Sequence, residues 1–230
     1  PAFDLRRLQS SGVLESGYGW YANNQDGAVE RNSGTYLHWG CRIACPDTRD
    51  PVTLAATQAN ALELMRNDLD LLRTHGYAIH LAPRIGVRES RRIVGEAVVS
   101  LNDLMQGNIP DDSVMVTARG TDIWTDGTVP AVQVKPYGIP YRALVPQDVD
   151  GLLVIGKSLS GSHLAMSSYR VQCILGTIGQ AGGVAAAIAA HGGMFPRAVD
   201  VRLLRRTLTS PPQNVSLEPD IYSNTLASKN

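Results

Sequence analysis

Asp150-Gly-Leu-Leu-Val-Ile-Gly-Lys-Ser-Leu-Ser-Gly-Ser-His-Leu-Ala-Met-Ser-Ser-Tyr-Arg-Val-Gln-Cys-Ile-Leu-Gly-Thr-Ile-Gly-Gln-Ala-Gly-Gly-Val-Ala-Ala-Ala-Ile-Ala-Ala-His-Gly-Gly193 is the stretch that decides the fold. Leu152 to Ile155 is an aliphatic run bounded by Gly151 and Gly156, the pattern of a short strand buried on both faces. Ser158 to Ser168 mixes Ser, Gly and His without a period and reads as loop. A long helix is expected from Ser168, whose hydroxyl can cap the first free N–H groups, to Gly192, which suits a left-handed terminal position. Gly176, Gly179, Gly182 and Gly183 lie inside it, each costing about 1 kcal/mol against alanine. Close approach to a backbone or a ligand is what offsets such a cost. Strand, loop and a helix N-terminus aimed back at the strand end is how α/β folds hold an anionic or electron-rich group.

Working outward, upstream of this stretch stand Pro83-Arg-Ile-Gly-Val-Arg-Glu-Ser-Arg-Arg-Ile-Val-Gly-Glu96 and Gly138-Ile-Pro-Tyr-Arg-Ala-Leu-Val-Pro146. Arg84, Arg88, Arg91 and Arg92 crowd around one acid, Glu89; composition alone reads this as a solvated basic turn. Arginine also suits paired N–H donation to carboxylate or phosphate. Together with Leu152–Lys157, Ser162–Val171 and Gly179–Ala187, taken in order, these blocks resemble the C-terminal half of FAD-dependent oxidoreductases of the FAD_oxidored type. The resemblance is good from about Pro83 to Leu204, weaker from about Val29 to Gly76, and absent at both ends. One departure is Lys157, where that family usually carries arginine.

The resemblance implies FAD as cofactor, with the helix start near the flavin's pyrimidine edge. It implies cofactor contacts from Gly156, Lys157, Ser158, Ser168, Arg170 and Val171. Catalytic roles fall to His163, Arg88 and Tyr141, with Tyr137, Arg142 and Glu89 close by; His163 is read as flavin-adjacent or proton-handling. A loop histidine satisfied by backbone, or a tyrosine filling the core, is the plain alternative for each. The implied reaction is oxidation of a small organic substrate by hydride transfer to flavin.

An FAD-binding domain also needs a first strand, a glycine-rich turn and an acidic residue for the ribose. Gly17-Tyr-Gly-Trp-Tyr-Ala22 fits G-x-G-x-x-A, but no strand precedes it, no helical period follows, and Trp20 and Tyr21 would crowd the backbone approach. Gly151 to Ser158 fits the P-loop expression, yet the residues between its glycines are the expected strand itself. The chain is therefore expected to be half of an obligate heteromer. A second chain would supply the N-terminal βαβ unit, across an interface of roughly 2,000 Å² or more. A non-catalytic subunit that caps a separate flavin-binding subunit is the alternative.

The expected fold class is α/β, in the mixed α+β sense. A substrate-domain sheet with helices spans 1–140, the C-terminal strand and helix of a Rossmann-like FAD-binding domain span 141–209, and a tail covers 210–230. Strands are expected at Gly34–Ile43, Ala97–Val99, Ser113–Arg119 and Ala131–Lys135, the last two joined by a turn at Asp126-Gly127. A helix capped by Asp50, with Pro51 in its first turn, carries the stripe Leu54, Gln58, Ala61, Met65, Leu69, Leu72 and closes at Gly76. Ser100 and Asp103 form a capping-box pattern for a short helix ending at Gly107. Pro140 would break the ladder of any central strand. Asp200–Leu208 reads as a surface helix, and the proline-broken tail as disordered or laid across another chain.

Twenty-one basic and 21 acidic residues balance to zero among 230, which gives no pull towards nucleic acid or anionic membrane. The longest fully apolar run, Val184–Ala190, is too short to span a bilayer, and no secretory signal opens the chain. Three cysteines make neither a disulfide scaffold nor a zinc site, which fits a reducing, cytoplasmic setting. No metal site is expected.

Overall fold

The computed structural model describes residues 28–32, 35–38, 43–74, 78, 80–81, 83–123 and 132–219, with side chains of 28–32, 35–38, 67–68 and 71–72 left aside. The chain forms two compact units, Pro1–Ser90 and Arg91–Asn230.

In the first unit, β1 (Ala28–Asn32) and β2 (Thr35–His38) pair antiparallel, Ala28 opposite His38 and Asn32 opposite Thr35. The strand expected over Gly34–Ile43 is thus confined to Thr35–His38 among the described residues. Helix α1 (Pro51–Thr74) starts where proline and its cap require. The Asp50 carboxylate accepts the Thr53 N–H at 2.8 Å and the Thr53 hydroxyl. These bonds, the Thr53 hydroxyl first, hold its pKa below the usual carboxylate value. Ala61 and Leu69 of the expected stripe are buried, with Thr57 beside them. Leu62 and Leu64, one step round the helix, are exposed. Gly76, the expected stop, lies outside the described residues.

The second unit is built on β3 (Ser113–Thr117) and β4 (Tyr137–Pro140), antiparallel, with Thr117 opposite Tyr137 and Ser113 opposite Pro140. Every residue of both strands is buried. Pro140 is tolerated because it closes the ladder at its end. Gly138 has no alternative, since a Cβ there would run into the Ser113 side chain. Before β3, α2 (Leu101–Gln106) carries the complete capping box: the Ser100 N–H donates to Asp103 at 2.8 Å and the Asp103 N–H to the Ser100 hydroxyl at 3.3 Å. Gly107 ends it in the left-handed region at φ 73°. Ala131–Lys135 forms no strand among its described residues; it runs past α2, the Lys135 N–H donating to the Leu104 carbonyl. The turn at Asp126-Gly127 lies outside the described residues. Ala97–Val99 likewise forms no strand, only an isolated bridge from Val99 to Gly161.

The long helix expected from Ser168 is two helices. Helix α3 (His163–Tyr169) is capped by Ser162, whose hydroxyl accepts the Ala165 N–H. After a break at Arg170 and Val171, α4 (Gln172–Gly192) runs to Gly193, which takes the left-handed cap at φ 60° one residue beyond the expected stop. Serine 168 caps nothing because its hydroxyl is spent inside the core, as described below. Helix α4 lies across β3, with Ile174, Ile178, Ala181, Ala185 and Ala189 inward. The chain then turns through a 3-10 turn at Pro196–Ala198 into α5 (Val201–Thr209), whose Asp200 cap and buried Leu204 and Leu208 match the expected surface helix. The tail does not leave the fold at Ser210. Val215 and Leu217 are buried in the same core, and the Val215 N–H donates to the Leu208 carbonyl at 2.8 Å.

Leu152–Ile155 is extended but is no ladder strand. Among the described residues its one main-chain bond to the rest of the fold runs from the Val154 N–H to the Leu144 carbonyl at 2.8 Å. Leu152 is 45% and Ile155 44% exposed, against the expectation of burial on both faces. Helix α4 has the same character. By length and composition it could cross a membrane, contrary to the expectation from its apolar runs, yet only a third of that stretch is buried. Gly176 and Gly183 face open space, whereas Gly182 is the close contact: a Cβ there would stand 2.5 Å from Ile155 Cγ2. Gly179 makes an ordinary approach to Ile155 at 3.8 Å. The helix thus spends two of its four glycines on admitting Ile155, and none of the four meets a second strand.

Candidate functional site

Gly156 turns the chain out of the extended segment at φ 74°, a left-handed conformation that side chains disfavour, and no atom lies within 4 Å of where its Cβ would stand. Gly156–Ser158 forms a 3-10 turn that presents Lys157 and Ser158 to solvent. The following loop is polar in sequence but pinned in structure. The Ile93 N–H donates to the Ser158 carbonyl at 3.0 Å, the Val99 N–H to Ser160 at 3.2 Å, the Ser160 N–H to Ala143 at 2.9 Å and the Ser162 N–H to Val99 at 2.8 Å. Leu159 and Ser160 are buried, and the Ser160 hydroxyl has no hydrogen-bond partner among the described residues. His163 follows as the exposed first residue of α3.

Ser168 holds the inner side. Its hydroxyl donates to the Arg119 carbonyl at 2.5 Å, so the Tyr137 phenol, 2.7 Å away, donates to the Ser168 oxygen. Burial pushes the Tyr137 phenol well above its ordinary pKa. Tyr141 is also buried. Its phenol donates to the Pro196 carbonyl at 2.8 Å, and burial, with the nearby Glu96 charge, pushes its pKa up to about 12. Arg142 forms a forked pair with Asp112, 2.9 and 3.3 Å, that ties β4 to the start of β3.

Arg170 occupies the break between α3 and α4. Its Nη2 donates to the Asp122 carbonyl at 2.7 Å and the Asp122 carboxylate at 3.1 Å. Val171 then opens α4 without any side-chain cap, and Gln172 and Cys173 at its start are exposed. The first-turn N–H groups of a helix have no intrahelical acceptor, so this end is positive and open to an anionic partner.

Of the expected residues, the structure gathers Gly156, Lys157, Ser158 and His163 on one short loop. Ser168, Tyr137 and Tyr141 are committed to internal hydrogen bonds. Arg88 and Glu89 belong to the first unit, where the Thr48 hydroxyl donates to the Glu89 carbonyl at 2.7 Å. Three residues organise the surroundings: Asp122 and Arg197, which sequence reasoning passed over, and Arg92, which it placed only within the arginine block. Asp122 holds Arg170. Arg92 reaches the Gly161 carbonyl at 2.8 Å. Arg197 braces the turn before Leu152, contacting Asp150 at 2.5 Å, Glu96 at 3.2 Å and the Pro146 carbonyl at 3.1 Å. Nothing in the local sequence reveals their contacts, since each acts across at least 47 residues. No cluster of three metal-binding side chains occurs among the described residues.

Residues 28–208 match the family model described as FAD dependent oxidoreductase. No curated protein matches, and no solved structure matches.

Proposed function

The chain belongs to the FAD-dependent oxidoreductases, and on that premise we propose that it forms the half of the enzyme that receives the flavin end of FAD. The observation that carries this reading is the open, positively φ-turned Gly156 beside exposed Lys157, to which the uncapped start of α4 adds a second group of free N–H donors elsewhere on the same helix that Ile155 packs against. An open cradle, a cation and free N–H groups fit the electron-rich edge of a flavin or a phosphate. The same residues do not fit the adenosine half, which needs a glycine-rich βαβ turn and an acidic ribose partner. A further βαβ unit completes the site in this proposal. It pairs with the extended Leu152–Ile155 edge and covers the apolar outer face of α4, turning both into the interior of a Rossmann-like domain.

When bound, FAD supplies the redox chemistry by accepting a hydride from a substrate C–H. The chain's own residues do the rest. The α4 N-terminus and Lys157 favour negative charge beside them, a preorganised electrostatic effect. His163, exposed at the loop's end, holds or moves a proton. Arg88, in the first unit, is proposed on its chemistry alone to suit an anionic group of a small organic substrate. Tyr141 supports this framework through Pro196 rather than touching the reaction.

The test is the visible flavin spectrum of the protein purified with its partner, followed by substrate-driven bleaching. Bleaching that is lost in His163→Gln and in Arg88→Gln, with flavin retained, supports the proposal. Bleaching unaffected by both variants makes this chain a non-catalytic cap on a separate flavin-binding subunit.

A further inference from the structure

Arg92 stands in the arginine block before the second unit's core, but its side chain turns inward. It is half-buried, and its Nε–H donates to the Gly161 carbonyl at 2.8 Å, 69 residues along the chain. Gly161 directly precedes Ser162, the cap of α3, and stands two residues before His163. Its position is fixed from the other side too, because a Cβ there would strike the Tyr169 phenol. The main-chain bonds of Ile93 to Ser158, Val99 to Ser160 and Ser162 to Val99 lay the segment from Arg92 to Val99 along this loop as a splint. Arg92 is the splint's side-chain brace. Arg91, its neighbour, is exposed.

We propose that Arg92 is a positioning residue. Its charge-assisted bond to the Gly161 carbonyl fixes where Lys157, Ser158 and the first turn of α3 stand relative to the bound flavin. This rests on the reading of that loop as flavin-facing. A guanidinium Nε–H donates in one fixed direction, and a half-buried carbonyl has little water to replace it. Lysine can reach a carbonyl but offers a compact, strongly hydrated head without that fixed direction.

The experiment uses the complete FAD-loaded protein with Arg92→Gln, Arg92→Lys and, as control, Arg91→Gln. It reads three quantities: amide exchange of the peptide spanning Ser158–His163, the Kd for FAD, and the visible circular dichroism of the bound flavin. Arg92→Gln is expected to speed exchange in that peptide and to raise the Kd about tenfold, with a changed dichroism. Arg92→Lys should fall between it and the parent, and Arg91→Gln should match the parent. A lower melting temperature with unchanged loop exchange, Kd and dichroism overturns the proposal, leaving Arg92 a purely structural residue. Faster loop exchange with unchanged Kd and dichroism also overturns it, because the braced loop then has no hold on the flavin. Protein that takes up no FAD in any variant, the parent included, refutes the flavin reading of the site and the proposal with it.

Discussion

Two adjacent stretches either side of Gly156 have exchanged the environments their compositions suggest. Leu152–Ile155 is wholly aliphatic yet has Leu152 and Ile155 nearly half exposed, with a single main-chain bond to the rest of the fold among the described residues. Ser158–Ser162 is mostly polar, yet Leu159 and Ser160 are buried and its backbone is bonded on both sides. Polar sequence can be buried where its backbone finds partners, because an unpaired N–H or C=O is what makes burial costly. Aliphatic sequence left in solvent is the less stable situation, and natural sheets avoid bare edges of this kind. The difference teaches that backbone partners, not composition, decide burial here: the second stretch has them within this chain and the first has one among the described residues.

The comparison breaks most visibly under truncation. Leu159→Ala should cost about 2–5 kcal/mol, since Leu159 is fully buried. Leu152→Ala should change the stability of this chain by roughly 0.5 kcal/mol or less. Chemical denaturation of both variants measures the contrast. Equal losses would mean that Leu152–Ile155 is core after all.

A second contrast lies on α4. Gly182→Val should destabilise by about 1–3 kcal/mol, because its side chain must displace Ile155. Gly183→Ala faces open space and should stabilise by up to about 1 kcal/mol through helix propensity. Thermal unfolding of the pair checks this. If a completing unit is present, Gly183→Ala should instead weaken its association while the isolated chain keeps the gain.

How much of this was legible in the sequence follows from who owns each contact. The Asp50 cap, the Ser100–Asp103 box and Gly107 were readable because each is settled within four residues. The α3–α4 break was not. Ser168 looks like a cap, but Tyr137 and the Arg119 carbonyl, 31 and 49 residues away, claim its hydroxyl. Leu152–Ile155 was read as a strand buried on both faces; it is extended but joins no ladder, and Leu152 and Ile155 are exposed, because an aliphatic run reports composition and not which neighbours cover it. Of the candidate site, Gly156, Lys157, Ser158 and His163 were named from the resemblance, and they stand close together because they are close in sequence. The contacts of Arg92, Asp122 and Arg197 were not legible, because only tertiary distances reveal them.

A further effect is expected at alkaline pH. Tyr141 titrates near pH 10 in the unfolded chain and at about 12 in the fold. Its contribution to stability is therefore full below about pH 10 and is lost as pH rises towards 12. The unfolding free energy measured across that window should fall less steeply in Tyr141→Phe than in the parent. Parallel profiles would place Tyr141 in contact with water.

The central claim is that FAD is held only when a further βαβ unit covers the Leu152–Ile155 edge. Native mass spectrometry of the yellow, flavin-bearing fraction tests it most directly. The account predicts a mass equal to these 230 residues plus FAD plus additional polypeptide carrying a glycine-rich dinucleotide turn, whether as a separate subunit or a continuous segment. A monomer consisting of these residues and one FAD alone would contradict it.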